Sequence, residues 1–347
     1  MVPPAALLAI ALLCLLLQPP AAAIILPTTW ASHMVIQRSS VANTLWGLDT
    51  PGAVVTLTCT APWCGVAGFT STEADSTGRF EIKLPAATAS TKPFTMKLSS
   101  SKDGGSLQLT DLLVGDVYVC SGQSNMGLPV MATAEQAAVL AKANTLGASL
   151  RSALSPPAAC RHHDAAGLMA NLFCWHSRTK IGGRHSCCSI FSVANLPEYA
   201  TTKTPQANLT ASIPWSRASS MSAPGMSAFC YGFGAEAVQA HPEIPIGMQN
   251  NAWGGVAIQV YMSPAAMAQC AHVAVTPTLA ERLVSGDPAF QALAAAEIGL
   301  ANANRLGVDA QPETPGCLYN SMTFALFANP ITGILWYQVC IAVTCDL

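Results

Sequence analysis

Apolar and polar positions keep one rhythm over the first third of this chain and another afterwards. From about residue 28 to 113, short alternating or β-branched runs are separated by turn residues. Ala53-Val54-Val55-Thr56-Leu57-Thr58 follows Asp49-Thr50-Pro51-Gly52, and Arg79-Phe80-Glu81-Ile82-Lys83-Leu84 alternates strictly after Asp75-Ser76-Thr77-Gly78. A period of two sends one face of a strand to a core and the other to solvent, so this region predicts a small β-sandwich. At residue 114 the alternation stops. Val114-Gly115-Asp116-Val117-Tyr118-Val119-Cys120 is nearly continuous in apolar residues, as in a strand covered on both faces, and it runs straight into Ser121-Gly122-Gln123-Ser124-Asn125-Met126. Residues 132–148 (ATAEQAAVLAKANTLGA) predict a helix, with Thr133 as N-cap and Gln136 three positions on. Residues 228–239 predict another. Ile244-Pro245-Ile246-Gly247-Met248-Gln249 reads as a strand entering Asn250-Asn251-Ala252-Trp253-Gly254-Gly255, and Gly333-Ile334-Leu335-Trp336-Tyr337-Gln338 as one more strand end. Strand ends that carry polar or glycine residues are what an open parallel sheet presents at its carboxyl edge, where ligands bind. The expected class is therefore α/β: a layered parallel sheet over residues 114–338, preceded by the β-sandwich over 24–113.

Two stretches keep neither rhythm. Residues 5–17 are uninterrupted apolar, closed by Gln18-Pro19-Pro20 and followed by Ala21-Ala22-Ala23. This is the pattern of a signal peptide over residues 1–23. A membrane anchor is the alternative, but the run falls short of the roughly 20 residues a spanning helix needs. No later stretch is long and apolar enough, so no membrane span is expected. Residues 151–188 contain Pro156-Pro157 and no clear period, with His162, His163, His176 and His185 among Cys160, Cys174, Cys187 and Cys188. A zinc site is one reading of that cluster. The spacing matches no regular pair of ligand pairs, so the expectation is an irregular insertion with no metal and no other cofactor.

Composition narrows the function classes. Hydrophobic residues make up 51% and charged residues 10%, which suits packed cores and excludes disorder. With 16 basic against 18 acidic residues there is no basic stripe to neutralise a row of phosphates, and nucleic acid is excluded as a partner. Of 13 cysteines, Cys14 would leave with the signal peptide. In an oxidising compartment the rest read as disulfides, otherwise as buried thiols. Asn208-Leu209-Thr210 is an acceptor sequence for N-glycosylation. The expected destination is secretion or the lysosome.

The candidate chemistry centres on Ser124. A serine hydroxyl is a poor nucleophile until a base lies within hydrogen-bond reach and donors face the developing oxyanion. A turn between a buried strand and a helix would present its Oγ at the sheet edge, with Gly122 permitting the turn and Gln123 and Asn125 adding polar contacts. From these residues alone Ser124 reads equally as a helix N-cap.

Gly115-Asp116-Val117-Tyr118-Val119-Cys120-Ser121-Gly122-Gln123-Ser124-Asn125-Met126 resembles the nucleophile block of the sialate O-acetylesterases, a branch of the SGNH hydrolases. Further segments are similar to that family in the same order. They are Ser32-His33-Met34-Val35-Ile36-Gln37-Arg38, Leu45-Trp46-Gly47, Ala74 to Phe80, Met226 to Gly234, Ala252-Trp253-Gly254-Gly255, Tyr319-Asn320-Ser321-Met322 and Leu335-Trp336-Tyr337-Gln338. The resemblance implies an SGNH-hydrolase-like sheet and hydrolysis of O-acetyl esters on sialic acids or related acetylated glycans through an acyl-enzyme on Ser124. It implies that Gln123, Asn125, Trp253, Gly254, Gly255 and Gln338 surround the oxyanion and substrate; a simple tight turn is the other reading of Gly254 and Gly255. The family pattern departs after Gln338, where Gly-Glu, an asparagine and later an Asp and His are expected. This chain reads Val339 to Leu347 (VCIAVTCDL), and after Gly255 its one histidine is His272. Asp287, Asp309 and Asp346 have no histidine at the expected spacing. The expectation is an incomplete esterase domain with a divergent tail over 339–347, impaired by loss of its general base. A glycan-binding remnant without turnover, or a metal-binding secreted protein, are the alternatives.

Overall fold

One strand organises the molecule. β7 (Ser106–Gly122) alternates exposed and buried positions at its start and is buried almost without interruption from Leu112 onward. The change of rhythm near residue 114 is thus a change of surroundings within a single strand, and the division between 113 and 114 falls inside it. The computed structural model describes residues 24–38, 42–65, 68–102, 104–134, 136–140, 188–269, 312 and 314–338. The signal peptide, the insertion up to residue 187, His272, the aspartates at 287, 309 and 346 and the tail 339–347 lie outside these.

The first part of β7 pairs antiparallel with β6 (Ser90–Ser100), which pairs with β3 (Val55–Cys59) and through it with β4 (Phe69–Thr70). β1 (Val35–Gln37) joins β7 in parallel at residues 113–115. A second sheet, β2 (Asn43–Leu48) with β5 (Arg79–Leu84), packs against this one: Leu45, Phe80, Ile82 and Leu84 share a buried cluster with Leu57, Met96 and Leu98. Strict alternation over 79–84 produced this strand as expected, and its burial alternates in the same phase.

The second part of β7 carries β10 (Ile246–Ala252) and β11 (Gly333–Tyr337), both parallel to it. β8 (Cys188–Val193) adds to β10 in parallel, and β9 (Ala211–Arg217) closes that side antiparallel. β7 then ends in a single helical turn, α1 (Ser124–Gly127). Alternate residues of the sheet face two different layers. Cys120, Ile190, Ile246 and Met248 pack with α2 (Ala228–Ala240), whereas Val119 and Phe191 share the other core with Trp253, Tyr261, Leu318 and Met322. The three layers expected for an α/β fold follow from that division. α2 lies against the sheet through buried Ala228, Tyr231, Ala235 and Val238, spaced three or four apart. The Ser227 hydroxyl caps it by accepting from the Cys230 amide, and a Cys120–Cys230 disulfide fastens it to β7.

Two local expectations differ. β10 begins at Ile246 and continues through Asn250, Asn251 and Ala252, which read as loop. Pro245 has no N–H to give, so its carbonyl instead receives the Asp116 amide, while the two asparagines stay in the strand because Ser192 and Thr323 accept from their amides. Of the helix expected over 132–148, residues 136–140 are described and helical. Thr133 does not cap it. Its hydroxyl turns back to the Val130 carbonyl, 2.8 Å away, and closes the short 3-10 turn Val130–Ala132.

Candidate active site

Gly122 is level with Ala252 on one side and Tyr337 on the other, so β7, β10 and β11 end together. The chain leaving β7 must turn at once. Gly122 does so with φ 136°, and a Cβ there would lie 2.1 Å from the Tyr337 carbonyl oxygen. Backbone and space both demand glycine. The Gln123 amide donates to the same carbonyl at 3.1 Å. Ser124 is then the first residue inside α1, with Gln123 in the capping position, which sets aside the reading of Ser124 as an N-cap. Met126 is fully buried in a cluster with Val130, Met226 and Ala228. That anchor holds the turn down and leaves Ser124 exposed.

The turn after β10 reaches the same place. The Trp253 amide donates to the Gly122 carbonyl at 3.0 Å. A Cβ on Gly254 would lie 3.6 Å from both Cα and Cβ of Ser124, so any side chain there would meet Ser124 across the sheet edge, and Gly255 completes the turn with φ 76°. The Tyr261 hydroxyl sits beneath, 3.1 Å from the carbonyls of both Gly122 and Asn251, and its one proton serves one of them at a time. The Ser121 hydroxyl also donates to Asn251 O. Burial pushes the Tyr261 phenol far above its ordinary value, so it remains a donor at any working pH. Asn195, just past β8, donates to the Ala252 carbonyl at 3.3 Å. Three parallel strands thus contribute to one frame of backbone carbonyls around an exposed serine, and Asn195 past the end of a fourth donates to it.

Ser124, Asn125, Gly254 and Gly255 share this edge and are at least partly exposed. Gln123 and Trp253, expected at the substrate, are 2% and 4% exposed. Trp253 packs in the core beside Val256, Val260 and Tyr261, so its ring supports the turn rather than facing a ligand. The Gln338 amide donates to the Val256 carbonyl at 2.9 Å, which ties the end of β11 to the segment after Gly255. Asn208, the glycosylation acceptor, is exposed on the segment before β9, its side-chain oxygen accepting from the Thr28 amide and hydroxyl. Tyr261 and Asn195 were not foreseen. The polar run Gln249-Asn250-Asn251 at the end of an apolar strand marked the edge, but nothing in the sequence marked the phenol beneath it.

Both histidines among the described residues lie at the opposite edge. His33 bonds Asp111 at 2.7 Å, and Asp111 precedes Gly122 by eleven residues of strand, about 36 Å at 3.3 Å per residue. His241 precedes the start of β10, near Glu243 at 3.6 Å. Among the described residues no cluster of His, Cys, Asp or Glu is suited to a metal, and no helix is long and apolar enough to cross a membrane. The histidine and cysteine cluster of the insertion lies outside them, except Cys188. A cavity of about 30 Å³ lined by Trp30, Met34, Trp215, Leu326 and Ile331 among others includes none of the Ser124 edge.

Rat sialate O-acetylesterase is 25% identical over 314 residues, 88% of this chain and 50% of the relative. Human sialate O-acetylesterase is 32% identical over 101 residues, 29% of this chain and 19% of its own. A carbohydrate acetylesterase from Xanthomonas citri shares the fold with a TM-score of 0.58, over 91% of this chain and 51% of that one, at 24% identity. No family model matches the sequence. The chain spans about half the length of the rat relative it matches, and by sequence it is related to the sialate O-acetylesterases.

Proposed function

We propose that this chain, a relative of the sialate O-acetylesterases, carries the acyl-transfer site of a serine esterase at Ser124, with O-acetylated sialic acids or related acetylated glycans as substrates. The observation that carries the reading is the place of Ser124 at the carboxyl edge of a parallel sheet, where a Cβ on Gly254 would meet it at 3.6 Å. Ser124 Oγ bonds to the acetyl carbon, the carbonyl oxygen takes the charge, and the backbone amides of Ser124 and Gly254 are the donors assigned to it. Collapse breaks the ester C–O bond and frees the sugar hydroxyl, which takes up a proton. Water then splits the acetyl-serine to release acetate and restore the hydroxyl.

The proton leaving Ser124 needs a base, and neither His33 nor His241 is placed to take it. Turnover therefore rests on a histidine outside the described residues. Without one, removal of the base from such a triad lowers the rate by roughly 10^4 to 10^6, and we expect acetate release near that level. The same observation favours a second reading, binding of acetylated sialosides without turnover.

One experiment separates these: acetate release from an acetyl ester and from an O-acetylated sialoside by the purified chain and by Ser124→Ala, with sialoside binding measured on both. Release that disappears in the variant supports the esterase. Binding by both with no release supports the second reading. Equal release by both would remove Ser124 from the chemistry.

The secretory route, ending outside the cell or in the lysosome, is supported by the Cys120–Cys230 disulfide and the exposed Asn208. Glycosidase treatment is expected to lower the mass of the chain made in a secretory host but not of Asn208→Gln; no shift in either would count against glycosylation there.

A further inference from the structure

Cys59 ends β3, and Cys64 ends the 3-10 turn Pro62–Cys64 that follows. The turn brings them back together. The Ala61 carbonyl accepts from the Cys64 amide at 3.0 Å and from the Cys59 thiol at 3.9 Å, so one oxygen holds the backbone of one cysteine and the side chain of the other. Pro62 fixes the first backbone angle of the turn. Trp63 holds it against the sandwich, with ring centroids 6.3 Å from Phe69 and 5.5 Å from Phe94. Cys64 is buried in the sandwich core while Cys59 is half-buried at its margin. One sulfur is open to a reagent and the other waits behind it. Elsewhere the chain holds Cys120 and Cys230 as a disulfide, so a second pair would form under the same oxidising conditions that keep the first.

We propose that Cys59 and Cys64 form a second disulfide, made by thiol–disulfide exchange with a small-molecule disulfide such as oxidised glutathione. The Cys59 thiolate attacks one sulfur of the oxidant, breaks its S–S bond and releases one glutathione. The Cys64 thiolate then displaces the other. Two electrons pass to the oxidant, and the two cysteine protons end on the two glutathione thiols. In the reduced fold, burial first and the Cys64 thiol second push the Cys59 thiol up to about 12. Thiolate is therefore scarce once the sandwich has closed, and the exchange belongs to folding.

The two cysteines fall within one tryptic peptide, residues 39–79, which holds no other cysteine. The full chain is refolded with reduced and oxidised glutathione, denatured, alkylated without reduction and digested, and the fraction whose Cys120–Cys230 bond has formed is analysed by mass spectrometry. The expected peptide is lighter by two hydrogens, refuses alkylation, and takes two alkyl groups only after reduction. A peptide doubly alkylated before reduction, carrying glutathione, or cross-linked to another peptide overturns the proposal.

Discussion

Two glycines bracket Ser124 and tolerate a methyl group very differently. At Gly122 a Cβ would stand 2.1 Å from a backbone oxygen of the neighbouring strand, at φ 136°, so no rotamer or local shift relieves it. Gly122→Ala is expected to lose at least about 3 kcal/mol of stability, from strain and overpacking together, read as a lower urea midpoint. At Gly254 the same methyl makes ordinary contacts at 3.6 Å with Ser124. Gly254→Ala should keep stability within about 1 kcal/mol. It leaves the residue's amide in place but fills the space beside the nucleophile, so whatever acetate release the parent shows should fall by about 10^2-fold, the order that a displaced reacting group costs. A Gly122→Ala protein with the parent midpoint, or a Gly254→Ala protein with the parent rate, would contradict this account of the edge. Glycine and serine at strand ends leave a visible mark in the sequence, and these positions were legible from it. Tyr261 and Asn195 act on backbone carbonyls of distant residues, and such a bond leaves no spacing to read.

At the scale of elements, the first half of β7 is fastened by one carboxylate. Asp111 and His33 both have positive φ, 58° and 69°, and the Asp111 carboxylate accepts from His33 and from the guanidinium of Arg217, the last residue of β9. Burial pushes the Asp111 carboxyl up, but the hydrogen bonds from Arg217 and then His33 outweigh it and hold it below the usual carboxylate range. A folded-state value that is depressed stabilises above the unfolded value, near 4, and the benefit is lost as pH falls through the folded value. Asp111→Asn keeps the tolerance for a left-handed backbone and removes the charge. His33 and Arg217 are nearly half exposed, so the expected loss at neutral pH is only about 1 kcal/mol. Urea unfolding of both proteins at pH 7 and pH 3 should show that difference shrinking in acid. A difference that stays constant would mean that the charge contributes nothing. The alternating pattern located β5 correctly because one face of that strand meets solvent. It divided β7 at 114 because the pattern reports surroundings, and there the strand passes from a half-covered sheet to a fully covered one.

At the scale of the molecule, length and the change of rhythm both argue for two regions, and two regions commonly unfold separately. The packing argues otherwise. One cluster of buried side chains runs from Leu45 and Phe80 in the two-stranded sheet, through Leu112 and Val119 of β7, to Trp253, Leu318 and Met322 over the parallel sheet. Arg38, just past β1, grips Asp116 through two bonds of 2.7 and 3.0 Å, and Thr332 ahead of β11 donates to the same carboxylate. Opening the sandwich would strip one face of the strand that carries Ser124, and opening the parallel sheet would expose the middle of the same strand. The class of fold was legible because each rhythm belongs to one kind of layer. The register that levels Gly122, Ala252 and Tyr337 was not, since nothing in three separate segments states how far each slides against the others. Because β7 belongs to both sheets, the described regions should melt together. Calorimetry is expected to give a single transition whose van't Hoff and calorimetric enthalpies agree. Two resolved transitions would show that the shared strand does not couple the sandwich to the site, and that stability at the Ser124 edge is set by the parallel sheet alone.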